Sequence, residues 1–214
     1  MNRIRLSLIA VCIAALAALA GFGWYRSLSH PTASYGTADA ASVIGGPFTL
    51  KDTSGHVVTQ AALNGKWTAV FFGYTYCPDI CPTTFQVLGR AQKLLEASQA
   101  GGAKADNLQF LFITVDPARD TPAVLGAYVK SGGFPSHVIG LTGTDDQIAA
   151  AAKAYRATYQ KEPQTDGTYV MAHTDIVYLM DPKGRFVAPL TGDMSPKQVA
   201  DQIAGAEADY AKSS

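Results

Sequence analysis

The sequence has few cysteines and no excess of charge of either sign. Its 214 residues include three cysteines, too few for a fold held together by a disulfide framework. The 17 basic residues balance the 17 acidic ones, which argues against a nucleic-acid-binding protein. Because 48% of the residues are hydrophobic and 16% are charged, the composition also excludes a disordered or collagen-like chain. We therefore expect one globular domain with an additional segment.

The additional segment is a long hydrophobic run at the N-terminus. Residues 6–25 carry no charge, and a helix of that length rises about 30 Å, enough to span a bilayer. Arg3 and Arg5 precede the run and Arg26 follows it, so the positive-inside rule places the N-terminus in the cytoplasm. We predict a single-pass anchor over residues 1–26 in the inner (cytoplasmic) membrane, with the rest of the chain on the periplasmic side.

Two other interpretations of this segment stay open. Ala18-Leu-Ala20 fits the small-x-small cleavage site of a signal peptide, although the apolar run continues past it to Tyr25. Cys12 could carry a lipid, but Val11 before it is bulkier than lipoprotein signals use. We favour the uncleaved anchor, with Cys12 as a small apolar residue of the span. Cys77 and Cys81 are then the two cysteines that face an oxidising compartment. In a domain without a disulfide framework, such a pair more often takes part in redox chemistry or metal binding than in a structural disulfide.

Composition separates a tether from the domain that follows the anchor. Residues 27–42 are rich in Ser, Thr, Ala, Pro and Gly and show no hydrophobic periodicity, as in a flexible linker. We place the folded domain at residues 43–214. Residues 1–26 contain three arginines and no acid, so the remainder has 14 basic and 17 acidic residues and a formal net charge of −3.

Strands and helices alternate along the domain and predict an α/β fold. The near-continuous apolar run at 108–115 is typical of a central strand with both faces buried. A βαβ unit with a terminal hairpin and helix predicts a thioredoxin-like fold with an N-terminal hairpin and an inserted strand and helix. The predicted elements are a hairpin at 48–58, strands at 68–74, 108–115 and 138–141, helices at 83–98, 123–130 and 145–159, a hairpin of 174–180 and 185–190, and a helix at 195–210.

The motif Cys77-Pro-Asp-Ile-Cys81-Pro82 stands where a strand passes into a helix. Pro82 suits the first helical position, so we expect the loop to end at Cys81 with both sulfurs near a helix N-terminus. Backbone N–H groups and the positive end of the helix dipole favour a thiolate there. Thiolates serve both metal binding and disulfide exchange, so the cysteines alone leave those two functions open.

His173 is the candidate for a third ligand. It precedes the first strand of the terminal hairpin, which in a thioredoxin-like layout runs beside the strand that ends at the cysteine loop. Two cysteines and one histidine suit trigonal Cu(I) and leave a tetrahedral zinc site one ligand short. The donor set of Cys77, Cys81 and His173 would therefore suit copper, while a role for His173 as an ordinary surface or core residue stays open at this point.

The other polar candidates have simpler explanations. We expect His30, His56 and His137 to take no part in the site, because they fall in the tether, beside a glycine turn and in a loop. Met171 is expected to pack rather than bind metal.

Acidic residues near the cysteine motif and in the 116–122 segment are more ambiguous. Asp79 could tune copper affinity or act as a turn residue. Asp116, Arg119 and Asp120 could steer a partner protein, but a helix cap and a local ion pair explain them better.

The chain resembles the Sco/SenC family of copper chaperones associated with cytochrome c oxidase assembly. The resemblance rests on Cys77-Pro-Asp-Ile-Cys81-Pro82, on Asp116-Pro-Ala-Arg-Asp-Thr-Pro122 and on His173 before residues 174–179. It implies that Cys77, Cys81 and His173 bind copper, as Cu(I) with Cu(II) as a second state, and that the cysteines form a reversible disulfide. In ordinary thioredoxins the pair is CxxC facing a cis-proline, whereas here the spacer has three residues and a histidine is expected in place of that proline.

Three functions use these residues in different ways. The resemblance implies a metallochaperone that delivers one copper ion to cytochrome c oxidase subunit II to build its CuA centre, and it leaves open an additional thiol-disulfide oxidoreductase activity. The alternatives are a thiol-disulfide oxidoreductase that reduces the recipient's cysteines, and a redox or copper sensor. Further expected partners are another copper carrier or a thiol reductase, and no nucleic acid.

Overall fold

The computed structural model describes residues 44–98 and 107–213 of the chain. A short 3-10 helix, Gln60–Leu63, accompanies nine strands and four helices in this part. In chain order they are β1 (Thr49–Asp52), β2 (Val57–Thr59), β3 (Trp67–Gly73), α1 (Ile80–Ser98), β4 (Leu108–Thr114), α2 (Pro122–Tyr128), β5 (Val138–Thr142), α3 (Asp145–Tyr155), β6 (Tyr159–Pro163), β7 (Tyr169–His173), β8 (Ile176–Met180), β9 (Phe186–Thr191) and α4 (Pro196–Ser213).

Seven strands form one mixed sheet in the order β2-β1-β5-β4-β3-β8-β9. The central strands β3, β4 and β5 run parallel, while β1 pairs antiparallel with β5 and β8 pairs antiparallel with β3. The predicted α/β, thioredoxin-like order of elements is confirmed. The predicted neighbour of the cysteine-bearing strand is also confirmed, since β8 lies directly beside β3.

The central strands β3 and β4 are buried along their whole length and are mostly apolar, because helices cover both faces of the sheet. All seven residues of β3 and all seven of β4 are buried. Alternate side chains of β3 enter opposite cores: Phe71 packs with residues of α1 and α4, and Phe72 with residues of α3. The sheet is therefore a rigid support for the loop that follows β3.

Two predicted helix boundaries were wrong. Helix α1 begins at Ile80 rather than near Thr83, so Cys81 lies in its first turn and not at the end of the loop. Asp79 accounts for the earlier start, because its carbonyl accepts the Thr83 N–H and its carboxylate accepts the Thr83 hydroxyl at 3.3 Å. Helix α3 stops at Tyr155 rather than 159, because Arg156 takes a left-handed conformation (φ 54°) that ends it.

A third hairpin, formed by β6 and β7, was not predicted from the sequence. Strands β6 and β7 form a separate two-stranded antiparallel sheet in which Tyr159 pairs with His173. Four of the five residues of β6 are exposed, so the strand has no hydrophobic alternation to reveal it. Its turn contains Gly167 at φ 83°, a left-handed value that favours glycine.

The proposed membrane anchor lies outside the described part of the chain. Within residues 44–98 and 107–213, no helix is both long and apolar enough to cross a membrane. The predicted anchor 1–26, with Cys12, and the predicted tether 27–42, with His30, fall before this part. The anchor, the tether and the domain start at residue 43 stay predictions.

Candidate metal centre

The two cysteines come from a tight connection between β3 and α1. Cys77 lies in the loop and Cys81 in the first turn of α1, directly against the end of β3. Gly73 permits this approach, because a Cβ there would lie 2.7 Å from the Cys81 Sγ and 2.8 Å from the Phe112 ring. The end of β3 therefore needs glycine for the buried cysteine to reach its place.

Cys77, Cys81 and His173 meet at one point, as predicted. Their sulfur and nitrogen ligand atoms all lie within 4.8 Å of one another. The Cys81 Sγ is 3.4 Å from the His173 Nε2, and the Cys81 backbone N–H donates to the Cys77 Sγ across 3.4 Å. Cys81 is fully buried, while Cys77 and His173 are partly exposed.

The orientation of His173 leaves the ring nitrogen nearest the sulfurs free to bind. Its Nδ1 lies 3.1 Å from the Thr174 carbonyl oxygen, which can only accept, so Nδ1 carries the proton and donates. In the neutral ring, the form that can bind a metal, the lone pair is then on Nε2. Phe71 and Tyr74 hold the imidazole in edge-on contact, with ring centroids 6.1 and 5.8 Å away.

Hydrogen bonds and burial shift the pKa values of Cys77, Cys81 and His173 in different directions. Hydrogen bonding from the Cys81 thiol, helped by His173 and by backbone N–H groups, lowers the pKa of Cys77 to about 3 in spite of its partial burial. The same hydrogen bond, followed by burial, raises the pKa of Cys81. Burial lowers the pKa of His173, but hydrogen bonding to Cys77 and Thr174 outweighs it, so the net direction is upward. At neutral pH Cys77 is the thiolate and Cys81 the thiol.

This protonation state predicts an unusual alkylation profile for Cys77. In the reduced protein, we expect the rate of its reaction with iodoacetamide to change less than about 2-fold between pH 5 and 8, because the thiolate is already formed. An ordinary thiol with a pKa near 8.5 would react more slowly at pH 5 than at pH 8, by a factor of roughly several hundred. Peptide mass spectrometry, resolved at Cys77, measures the rate.

Cys81→Ala is the matched control for that profile. The substitution removes the Cys81 hydrogen bond, which is the largest cause of the low pKa of Cys77. The alkylation rate of Cys77 in this variant should therefore rise with pH. A wild-type rate that climbs about tenfold per pH unit would contradict the assignment of the thiolate.

An open groove gives access to the site. Its volume is about 430 Å³, and Cys77 and His173 lie along it together with Tyr74. Its rim is largely apolar and includes Ile80, which is 44% exposed. A partner's side chain can therefore approach Cys77 and His173, while Cys81 stays behind them.

The segment after β4 supports the cysteine loop. Asp120 is fully buried and accepts hydrogen bonds from the Thr75 N–H (3.0 Å), the Thr75 hydroxyl (2.6 Å) and the Thr114 hydroxyl (2.5 Å). It thereby holds the loop just before Cys77.

The predicted helix cap is Thr121 rather than an aspartate, since its hydroxyl accepts the Val124 N–H. The predicted local ion pair is confirmed between Arg119 and Asp116.

The remaining candidates lie outside the three-residue cluster, although Asp79 and Met171 line the same groove as Cys77 and His173. Asp79 is exposed at the start of α1, and Met171 is buried in the core on the α3 side. His56 bonds to Asp52 in the N-terminal hairpin, and His137 precedes β5 at φ 61°. Neither His56 nor His137 belongs to the three-residue cluster found among the described residues.

Two contacts that shape the site were not predicted from the sequence. These are the Asp120–Thr75 bonds and the packing of Arg119 against Tyr169 at 3.6 Å. The resemblance singled out residues 116–122, but nothing in the local pattern indicated what those side chains touch.

Comparisons with known proteins agree with this geometry. The sequence model of the SCO1/SenC family matches residues 36–207. The chain is 40% identical over 168 residues to protein SenC of Rhodobacter capsulatus, covering 78% of this chain and 72% of that protein. It is also 40% identical over 162 residues to mitochondrial SCO1 of Saccharomyces cerevisiae, covering 75% of this chain but only 52% of the yeast protein. Bradyrhizobium japonicum ScoI, solved with copper bound, superposes with a TM-score of 0.66 and is 41% identical over 76% of this chain and 99% of that one.

Proposed function

The chain belongs to the SCO1/SenC family, and from that premise we propose that it is a copper chaperone holding one copper ion on Cys77, Cys81 and His173. One observation supports this most directly: the three ligand atoms lie within 4.8 Å of one another beside an open groove. The copper bound in the structure of Bradyrhizobium ScoI supports the choice of metal.

The donor set fits copper better than the common alternatives. Two thiolates and an imidazole are soft or borderline donors that suit Cu(I), and the imidazole also suits Cu(II). Structural zinc takes four ligands, and this cluster offers three. Copper is cargo in this proposal, so the site must also release it. Cys77 and His173 face the groove, where an incoming ligand can compete for the ion.

We assign the cargo to cytochrome c oxidase, with subunit II as recipient and its CuA centre as destination. The resemblance to the Sco/SenC family implies a role in cytochrome c oxidase assembly, which supports an oxidase as partner. The choice of subunit II rests on the family resemblance. The hydrophobic run at residues 6–25 supports a membrane-tethered domain on the periplasmic side. There another copper carrier would supply the copper ion, or a thiol reductase would supply electrons to the cysteine pair.

The test of the copper site is a Cu(I) titration of the reduced full-length chain against a competing chelator. We expect one tightly held ion per chain in the wild type. We expect His173→Ala to bind roughly 10- to 100-fold more weakly, because two cysteines still hold Cu(I) but the third donor is lost. Equal affinity in wild type and His173→Ala would remove His173 from the site. His56→Ala, which removes an exposed imidazole of the N-terminal hairpin, is the matched control and should bind as wild type.

The protonation state favours thiol-disulfide exchange as a second candidate function. The accessible Cys77 thiolate would attack a partner's disulfide, forming a mixed disulfide and releasing one partner thiolate. Cys81 would then lose its proton and attack the Cys77 sulfur, releasing the second partner thiolate. Two electrons pass from the dithiol to the partner. Since His173→Ala keeps both sulfurs, unchanged reduction of an oxidised peptide together with weakened copper binding would separate the two functions.

A further inference from the structure

The β6–β7 hairpin carries His173 but is not part of the main sheet. His173 is the last residue of β7, and Tyr169 is the first, so the strand extends about 13 Å from the metal cluster. The position of His173 relative to the cysteines therefore depends on how this hairpin is held against the body of the domain.

Arg119 joins the hairpin to the body at the Tyr169 end. Its Nη1 donates to the Tyr169 carbonyl oxygen at 2.9 Å, and its guanidinium carbon lies 3.6 Å from the centroid of the Tyr169 ring. Asp116 completes the contact, because it forms an ion pair with Arg119 and accepts the Tyr169 hydroxyl at 2.9 Å. Both the backbone and the side chain of Tyr169 are thereby fixed.

The same guanidinium also contacts the cysteine side of the site. It lies 5.6 Å from the ring centroid of Tyr74 and 5.1 Å from that of Tyr76, the residue directly before Cys77. Distances of this size are within the range of cation–π attraction. One side chain thus contacts both segments that supply ligands, the loop with the cysteines and the hairpin with the histidine.

We propose that Arg119 is a positioning residue that sets the placement of His173 relative to Cys77 and Cys81, and so controls how tightly the chain holds copper. The proposal rests on the proposed function. Arg119 acts through Tyr169 and β7 on one side and through Tyr74 and Tyr76 on the other, and it does not bind the metal. Groups that orient metal ligands change affinity without touching the ion.

The experiment compares Cu(I) affinities of four full-length, reduced proteins: wild type, Arg119→Ala, His173→Ala and the double variant. We expect Arg119→Ala to weaken binding roughly 10- to 100-fold in the wild-type background. In the His173→Ala background it should change the affinity by no more than about 2-fold, because the ligand that it positions is already absent. A merely structural role would lower the affinity similarly in both backgrounds.

Two matched controls separate positioning from loss of charge or of an ion pair. Lys161 lies 3.8 Å from the Tyr169 ring but belongs to the hairpin itself, so Lys161→Ala should bind as wild type. Arg185 pairs with the buried Asp181 in the β8–β9 turn, which lies at the opposite end of β3 from the cysteines. Arg185→Ala should likewise leave copper binding unchanged. If Arg119→Ala does not fold, Tyr169→Ala removes the ring contact with Arg119 and the hydroxyl bond to Asp116 but keeps the backbone carbonyl, and it should show the same pattern with a smaller loss.

Each outcome bears on the inference. Wild-type affinity in Arg119→Ala, or an equal loss with and without His173, would overturn it. If the wild type binds no copper, the proposed function fails, and amide hydrogen exchange of the metal-free protein decides the inference. Faster exchange across residues 159–173 in Arg119→Ala, with no change in Lys161→Ala, would support it, and unchanged exchange would overturn it.

Discussion

Replacing Cys81 by alanine is expected to weaken Cu(I) binding by at least about 100-fold. Cys81 supplies one of the two sulfur donors of the cluster, and its sulfur lies 3.4 Å from the His173 Nε2. It is also fully buried, so no water can take its place without opening the core. The change leaves one sulfur and one nitrogen, which is a poor set for a soft ion. Competitive Cu(I) titration of the reduced variant measures the loss.

Met171→Leu is the matched control for the Cys81 variant. Met171 is also buried, lines the same groove and lies two residues before His173. Leucine has a similar volume, so the exchange should cost less than about 1.5 kcal/mol of folding stability. We expect wild-type affinity, because Met171 packs in the core. A large loss in Met171→Leu, with little loss in Cys81→Ala, would mean that the thioether rather than the thiol binds the ion.

Oxidation of the cysteine pair is expected to abolish copper binding completely and reversibly. Neither cysteine forms a disulfide in the structure, and their sulfurs lie within 4.8 Å of each other. Forming the disulfide passes two electrons to the oxidant and releases the Cys81 proton, and it removes both thiolates from the donor set. Reducing the bond should restore one copper per chain. Metal analysis after treatment with diamide and then dithiothreitol measures this change.

His173→Ala provides the control for the oxidation experiment. It keeps both cysteines, so its residual Cu(I) binding should also disappear on oxidation and return on reduction. An oxidised wild-type protein that still held one copper ion tightly would contradict a site built on two thiolates. It would also place the ion at a different group of residues.

The central strands of the sheet could be predicted from the sequence because burial on both faces leaves a visible pattern. Strands β3 and β4 are almost wholly apolar, and both were expected near their observed positions. Strand β6 could not be predicted because four of its five residues face solvent, so its sequence shows no hydrophobic alternation. The early start of α1 at Ile80 depends on hydrogen bonds between Asp79 and Thr83, and residue types alone do not show whether such bonds form.

The three proposed ligands could also be named in advance, for two different reasons. Cys77 and Cys81 are four residues apart at a strand-to-helix junction, so their proximity is a local property of the chain. His173 is 92 residues from Cys81, and it was found because the predicted order of strands places it beside the cysteine loop. Its hydrogen bond to the Thr174 carbonyl, which determines which nitrogen is free, was not predictable.

The sequence by itself determined the α/β fold, the cysteine loop and the residue types of the metal site, because hydrophobic periodicity and short spacings act over a few residues. Only the tertiary structure decided how that site is supported. Asp120 reaches Thr75 across 45 residues, and Arg119 reaches Tyr169 across 50. Aspartate, arginine and tyrosine are common on any protein surface, so their identity does not reveal such contacts. Those contacts form only when packing of the sheet and hairpin brings distant segments together.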